Sequence, residues 1–499
     1  MRLTQPLSTR FILLSWLLIG SFCLFACAPQ ESVRIVITPT PKLVQNGVEG
    51  SIPTVIVPTT TPSATSTITA TVTLTEMPLE ISTLSTTALA VSTVSAETTE
   101  IVEVTGFGPI IDSQYVLPPT STPRPTETPT PTLSPTPAGT PIATPLTTLP
   151  ELDGSRMGIQ LYWNLDIDTW YITLQRAKAM NVGWIKMQAD WSFLQPRNPD
   201  EYEQSFRLFT GHVQQAKNLG FRVLISVAKA PDWARNANRT ESGPPDDPQA
   251  LATFLRFMIA QLKPENIDGY EIWNEPNLLR EWQGALPHDG AGYMQLFVPA
   301  YQAIRQADPE AVIITAGLAP TGAVQTNKDD REFLSQMYAA GLAQYSDVVI
   351  GIHPYSWGNP PDFACCNIIP ERGWDDDPHF FFADTLREYR AIMQQNGHNV
   401  QMWATEFGWS TWEGYPTAPP ELWVGYNTAQ DQLNYTIRAF EIAQSLEDVG
   451  LMFLWNLNFG GSELIQNRDE IAGYALFFDP GGAPQQRPLY DALIQITQP

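Results

Sequence analysis

The chain has 499 residues, 52 of them Asp or Glu and 28 Lys or Arg, for a formal net charge of −24. With no basic stripe to meet phosphates, this balance excludes a nucleic-acid partner and makes a strongly anionic polysaccharide an unnatural substrate. Four cysteines are too few for a disulfide framework, and no ligand cluster points to a metal or any other cofactor.

Arg2 and Arg10 precede an apolar run over 11–25. That run is short for a membrane span and has the flanks of a signal peptide. It ends in Leu24-Phe25-Ala26-Cys27, which resembles a bacterial lipobox. The resemblance implies a lipoprotein-type signal over 1–27, lipidation of Cys27, and attachment to the outer face of the cell membrane. Plain secretion is the alternative, because Phe25 is bulky for its position. Residues 28–152 are dominated by Thr, Ser and Pro, with a proline every two to four residues over 118–150. Such a stretch cannot bury enough apolar surface to offset its ordering entropy, so a disordered stalk is expected. In polyproline II form, at about 3.1 Å per residue, its last thirty or so residues reach roughly 90 Å.

Apart from Trp16, every one of the 15 tryptophans lies beyond Pro150, which places the folded domain at 153–499. There, short runs rich in β-branched residues alternate with longer stretches of helical period. The predicted strands are 157–161, 184–188, 222–227, 269–273, 312–316, 348–352, 401–405 and 450–455. The predicted helices are 169–180, 205–219, 248–262, 293–307, 332–340, 383–395, 429–446 and 488–496. Eight strands with a helix after each fit an α/β fold of the (β/α)8 TIM-barrel type. An open doubly wound sheet is the alternative, but no Gly-rich nucleotide fingerprint follows the first strand.

A closed barrel puts its chemistry at the carboxyl ends of the strands. The fourth predicted strand runs into Glu271-Ile272-Trp273-Asn274-Glu275-Pro276-Asn277, and the seventh into Thr405-Glu406-Phe407-Gly408-Trp409. Two carboxylates on one rim suit glycoside cleavage, in which one assists the leaving oxygen as an acid and the other attacks. Burial and mutual repulsion are expected to raise the pKa of the acid and leave the nucleophile charged.

Asn274-Glu275-Pro276 after strand four, with Glu406 ending strand seven, resembles clan A of the glycoside hydrolases across nearly the whole folded domain. The resemblance implies that Glu275 is the acid/base, that Glu406 is the nucleophile, and that Asn274 holds the sugar 2-hydroxyl. It also implies retaining cleavage of a β-linked oligo- or polysaccharide. His353-Pro354-Tyr355 closes strand six, where relatives place a tyrosine on the nucleophile. Trp455 closes strand eight, where a flat indole suits the apolar face of a pyranose. Lys186 and Trp191 resemble an arginine–tryptophan pair of several clan members, although a lysine gives a point charge and not a bidentate fork. These residues are therefore candidate substrate contacts. Lys229-Ala230-Pro231-Asp232-Trp233 is similar to the β-xylosidase and iduronidase type, and His353-x-Tyr355 to the cellulase type. Trp282, Trp357, Trp374, Trp409, Trp412 and Trp423 fall in rim loops, where they either line a cleft or pack the loops. Cys365 and Cys366 either pair with each other or stay free. A saccharide-binding surface protein that keeps the barrel without turnover is the competing function.

Overall fold

In the computed structural model, which describes residues 148–236, 239–366 and 376–496, the eight apolar runs form a closed parallel barrel in sequential order. Its strands are β1 (Met157–Gln160), β2 (Trp184–Asp190), β3 (Arg222–Ala228), β4 (Gly269–Ile272), β5 (Val312–Thr315), β6 (Val348–Ile352), β7 (Met402–Phe407) and β8 (Val449–Leu454). The barrel closes where Ile159 of β1 pairs with Leu454 of β8. The surrounding helices are α1 (Ile167–Ala179), α2 (Gln204–Asn218), α3 (Pro248–Leu262), α4 (Gly290–Ala307), α5 (Asp330–Ala339), α6 (Phe382–Gln395), α7 (Ala429–Gln444) and α8 (Pro488–Gln495). Five start at a side-chain cap, from Asp166, Asp247, Asp289, Asp329 and Thr428, each accepting from a first-turn N–H. The signal, Cys27, most of the stalk and Trp374 lie outside the described residues.

Strand alternation splits the apolar residues into two cores. Ile185, Met187, Val223, Ile225 and Ile313 face outward into the large core beneath the helices. Their neighbours Trp184, Leu224 and Ile314 face inward and form a plug with Trp403, Leu451 and Phe453. Trp184 meets Trp403 edge-on at 5.4 Å and Phe453 at 6.2 Å. Two residues further along the same inward faces, the side chains turn polar: Lys186, Ser226 and Thr405, all fully buried. The plug is thus the floor on which a polar layer stands.

The folded part starts earlier than the composition indicates. Leu152 is 1 % exposed within the large core, and Leu149 packs on it. Neither belongs to a free stalk, because Leu152 is buried in that core and Leu149 packs against it. Two short helices, Trp191–Leu194 and Ser462–Gln466, and a two-stranded ribbon of Phe477–Phe478 with Gln485–Gln486 were not foreseen. Segments this short carry no measurable period.

Candidate active site

The polar layer is organised around Lys186. Its ammonium lies 2.8 Å from Glu271 and 3.0 Å from Glu406, and it donates to the Thr405 carbonyl at 3.2 Å. Burial pulls the Lys186 ammonium down, but Glu271 and Glu406 outweigh it and hold the group charged. Burial likewise opposes ionisation of Glu271, and Lys186 with His353 overcomes it, so this carboxyl lies well below its ordinary value. Lys186 and His353 are fully buried and do not line the cleft. The expectation that they touch substrate is therefore corrected: they act on carboxylates from beneath.

Glu406 is held at both oxygens, Oε1 by Lys186 and Oε2 by the Tyr355 hydroxyl, which donates at 3.1 Å. Strict alternation would aim Thr405 and Glu406 to opposite faces. The β7–β8 pairing slips between Ala404 and Phe407, and there both side chains reach the interior.

Glu275 sits on a strained turn, with φ of +41° there and +78° at Trp273. Such left-handed backbone costs on the order of 1–3 kcal/mol per residue and persists only when its surroundings fix it. They do: the Glu275 N–H donates to Gly317 O at 3.0 Å, and the Trp273 indole donates to Glu281 O at 3.0 Å. The Glu275 carboxylate Oε1 lies 3.0 Å from His353 Nδ1, and Oε2 lies 3.4 Å from Arg280. His353 Nε2 contacts Thr405 Oγ1 at 3.1 Å. Gly317 packs so tightly under this ring that any Cβ there would overlap it.

The electrostatics reverse one expectation. Burial raises the Glu275 pKa, but the hydrogen bond and charge of His353, with Arg280, outweigh it and leave the group below its ordinary value. Burial lowers the His353 pKa, yet Glu406, Glu271 and Glu275 drive it up to about 9. The repulsion expected between the two glutamates is relieved by the imidazole between them. One oxygen of Glu275, one of Glu406 and a His353 nitrogen lie within 4.8 Å of one another.

These carboxylates open into a cavity of about 460 Å³, lined also by Asn274, Tyr355 and Trp455. Asn274 is 9 % exposed, and its Oδ1 has no partner. Trp455 packs against Tyr355 and Tyr474 at 6.0 and 5.0 Å. Trp357 stacks between Phe380, at 3.7 Å, and Trp423, at 4.9 Å, and this trio forms an aromatic wall of the cleft.

Trp191, Trp282, Trp409 and Trp412 serve packing. Trp191 is fully buried, stacks on Phe254 and donates to Gln195, so its assignment as a sugar contact is corrected. Trp282 and Trp409 are 1 % exposed and Trp412 6 %, each donating to a backbone carbonyl. Cys365 and Cys366 are paired with each other, and the Cys365 N–H donates to Asp384. Glu275, His353 and Glu406 could present three ligand atoms to a cation, as could Asp329, Asp330 and His379. In the first group Lys186 and Arg280 already neutralise the carboxylates, and in the second Arg331 and Tyr389 occupy Asp330.

Sequence reasoning missed Glu271, Arg280, Glu281, Tyr474 and Thr405. Glu271 carried a signal: an acidic residue inside an apolar strand, four before Glu275 and with the inward parity of Gly269. The loop residues Arg280 and Glu281 carried none.

A family model for cellulase (glycosyl hydrolase family 5) matches residues 146–456, well over half of the chain. No curated protein matches it. Among solved structures, a family 39 glycoside hydrolase from the gut symbiont Bacteroides cellulosilyticus WH2 is 15 % identical, with a TM-score of 0.51 over 69 % of this chain and 64 % of that one. The present chain thus spans just under two thirds of that relative's length, and the likeness is one of fold. A family 39 enzyme from Xanthomonas axonopodis pv. citri matches at 15 % identity and a TM-score of 0.48, over 69 % and 66 % of the two chains. An exo-beta-1,4-mannosidase from Opitutaceae bacterium strain TAV5 matches at 15 % and 0.44, over 70 % and 59 %.

Proposed function

The chain belongs to the cellulase family, glycosyl hydrolase family 5, and from that premise we propose that it is a retaining glycoside hydrolase acting on a β-linked oligo- or polysaccharide. The observation that carries this is the spacing of the two rim carboxylates, with an oxygen of each within 4.8 Å. Retaining enzymes hold their carboxyl groups about 5–5.5 Å apart, whereas inverting enzymes need about 6.5–9.5 Å to admit a water. The short spacing supports attack by the protein itself.

Glu406 is the nucleophile. Lys186 and Tyr355 fix both of its oxygens, so one oxygen is presented to the anomeric carbon in a single orientation. Glu275 is the acid/base. The proton it delivers to the leaving oxygen is the one it shares with His353, and water attacking the glycosyl-enzyme later returns a proton to the same pair. As the Glu406 ester forms its charge is lost, and His353 loses one of the charges that raise its pKa. The proton is then easier to release, which favours the transfer when the leaving group needs it. Asn274 offers its unpartnered oxygen to a sugar hydroxyl, and Trp455 its ring to the apolar face of the pyranose. Replacing Glu275 and Glu406 separately, and reading the configuration of the product formed in azide, tests both roles.

The same proposal places the enzyme on the outer membrane face, lipidated at Cys27, because the apolar run over 11–25 ends in a lipobox-like sequence. In the native host, the full chain is expected to partition with membranes and its Cys27→Ser variant with the soluble fraction. Equal partitioning of the two contradicts the anchor.

A further inference from the structure

Two walls of the cleft carry buried acceptors that no group among the described residues satisfies. Gln160, ending β1, is 4 % exposed and its Oε1 has no partner. Glu281, six residues beyond the acid/base, is 9 % exposed and its Oε2 has none. Both residues line the same cavity as Glu275 and Glu406. A carboxylate oxygen left without a donor in a buried place is costly, and such groups persist where a ligand completes them. The Glu281 backbone is fixed, its N–H donating to Leu278 O at 3.0 Å and its carbonyl accepting from the Trp273 indole. The side chain is thus held at the cleft and does not float over it.

The charges around Glu281 define what it can meet. Lys229 and Arg280 act on it as cations, Glu275 and Asp190 as anions. The first two disfavour an ammonium group, and the last two disfavour a carboxylate. A hydroxyl carries no charge and donates a hydrogen bond, so it suits this mixed environment. Burial pushes the Glu281 carboxyl up to about 7, which leaves it a strong acceptor when ionised and still able to exchange hydrogen bonds with a hydroxyl when protonated.

We propose that Glu281 is a specificity-determining residue that accepts a hydrogen bond from a hydroxyl of a neutral sugar unit seated beside the Glu275–Glu406 pair. This assignment deepens the glycoside-hydrolase reading, on which it rests for its site. It is separable from turnover because it concerns binding.

The test is calorimetric titration of the full chain carrying Glu406→Gln, which silences turnover, with cellotriose, mannotriose, xylotriose and trigalacturonic acid. A neutral trisaccharide is expected to bind tightest and the triuronide weakest. Adding Glu281→Leu should weaken the best neutral ligand by about 10- to 100-fold, the range for a hydrogen bond to a charged group. Glu281→Gln, which keeps an acceptor oxygen, should fall between. Monodeoxy analogues of that trisaccharide then give the decisive cycle. Loss of one hydroxyl should weaken binding strongly when Glu281 is present and little when it is Leu. A merely structural role would shift all analogues equally. If Glu281→Leu does not fold, the same cycle with Glu281→Gln should show that one penalty reduced several-fold. Tighter binding of the triuronide, binding of no neutral trisaccharide, or identical deoxy penalties with and without Glu281 overturns the proposal. Hydrolysis of aryl glycosides by the unmodified chain, run alongside, separates the two readings. Turnover with a flat deoxy profile removes only Glu281, and Glu281-dependent binding without turnover removes only the catalytic reading.

Discussion

Between Glu275 and Glu406 stands an imidazole, and it changes how the acid is stored. In sequence the two glutamates are a pair; in space His353 joins them, hydrogen-bonded to Glu275 at 3.0 Å and 3.9 Å from Glu406. His353 is raised from 6.5 to about 9, against burial, chiefly by Glu406, Glu271 and Glu275. A group whose folded pKa is raised contributes stability that is fully present below its unfolded value. That stability is lost as pH rises from about 6.5 towards the folded value. The same proton is needed for acid catalysis, so kcat/KM is expected to fall on the alkaline side with a limb near 9. A His353→Gln variant should remain folded, lose about 10²–10⁴-fold in rate, and show its limb elsewhere. A profile that stays flat across this region, or an unmoved limb in the variant, contradicts the shared proton. Glu275, Glu406 and Tyr355 were legible because each follows a readable strand end within a short motif. Trp191 was misread for the opposite reason: the turn after β2 becomes a helix, Trp191–Leu194, and rotates the indole onto Phe254 and away from the cleft.

Strands and helices answer to different forces. All eight strands were visible because β-branched runs alternate with helical period, and the eight main helices because their apolar stripes are long. What period alone could not separate is which face of a strand looks inward. The inward plug of Trp184, Leu224, Ile314, Trp403, Leu451 and Phe453 supports the polar layer directly, with Lys186 two residues beyond Trp184. Trp184→Ala should therefore cost about 3–5 kcal/mol and lower activity as the floor under Lys186 relaxes. By contrast, Thr428→Ala removes the capping box of α7, an exposed feature far from the plug. It should cost about 0.5–2 kcal/mol and leave turnover unchanged. Denaturant unfolding together with kcat checks both. Equal stability losses, or an activity loss only in the cap variant, would mean that the plug does not position the site.

At the scale of the whole chain, composition is divided along the sequence. Composition separates a Thr/Ser/Pro-rich segment, about a quarter of the chain, from a tryptophan-rich barrel, and errs only by the few residues around Leu149 and Leu152 that belong with the barrel. Substrate selection was least legible, because Arg280, Glu281 and Phe380 lie in loops that no period or motif marks, and Trp357 and Trp423 could be put on the rim but not told apart from loop packing. The central claim, a glycosyl-enzyme on Glu406 formed and broken with help from Glu275, is tested most directly by chemical rescue. Each glutamate is changed to Gln, an activated aryl glycoside is supplied with azide, and the product configuration is read by NMR. In Glu275→Gln the aryl group leaves unaided and Glu406 still attacks, so azide should restore turnover and yield a glycosyl azide of retained configuration. In Glu406→Gln azide attacks from outside, so any azide product should be inverted. Full activity in either variant without azide, or a retained azide product from Glu406→Gln, would contradict the account.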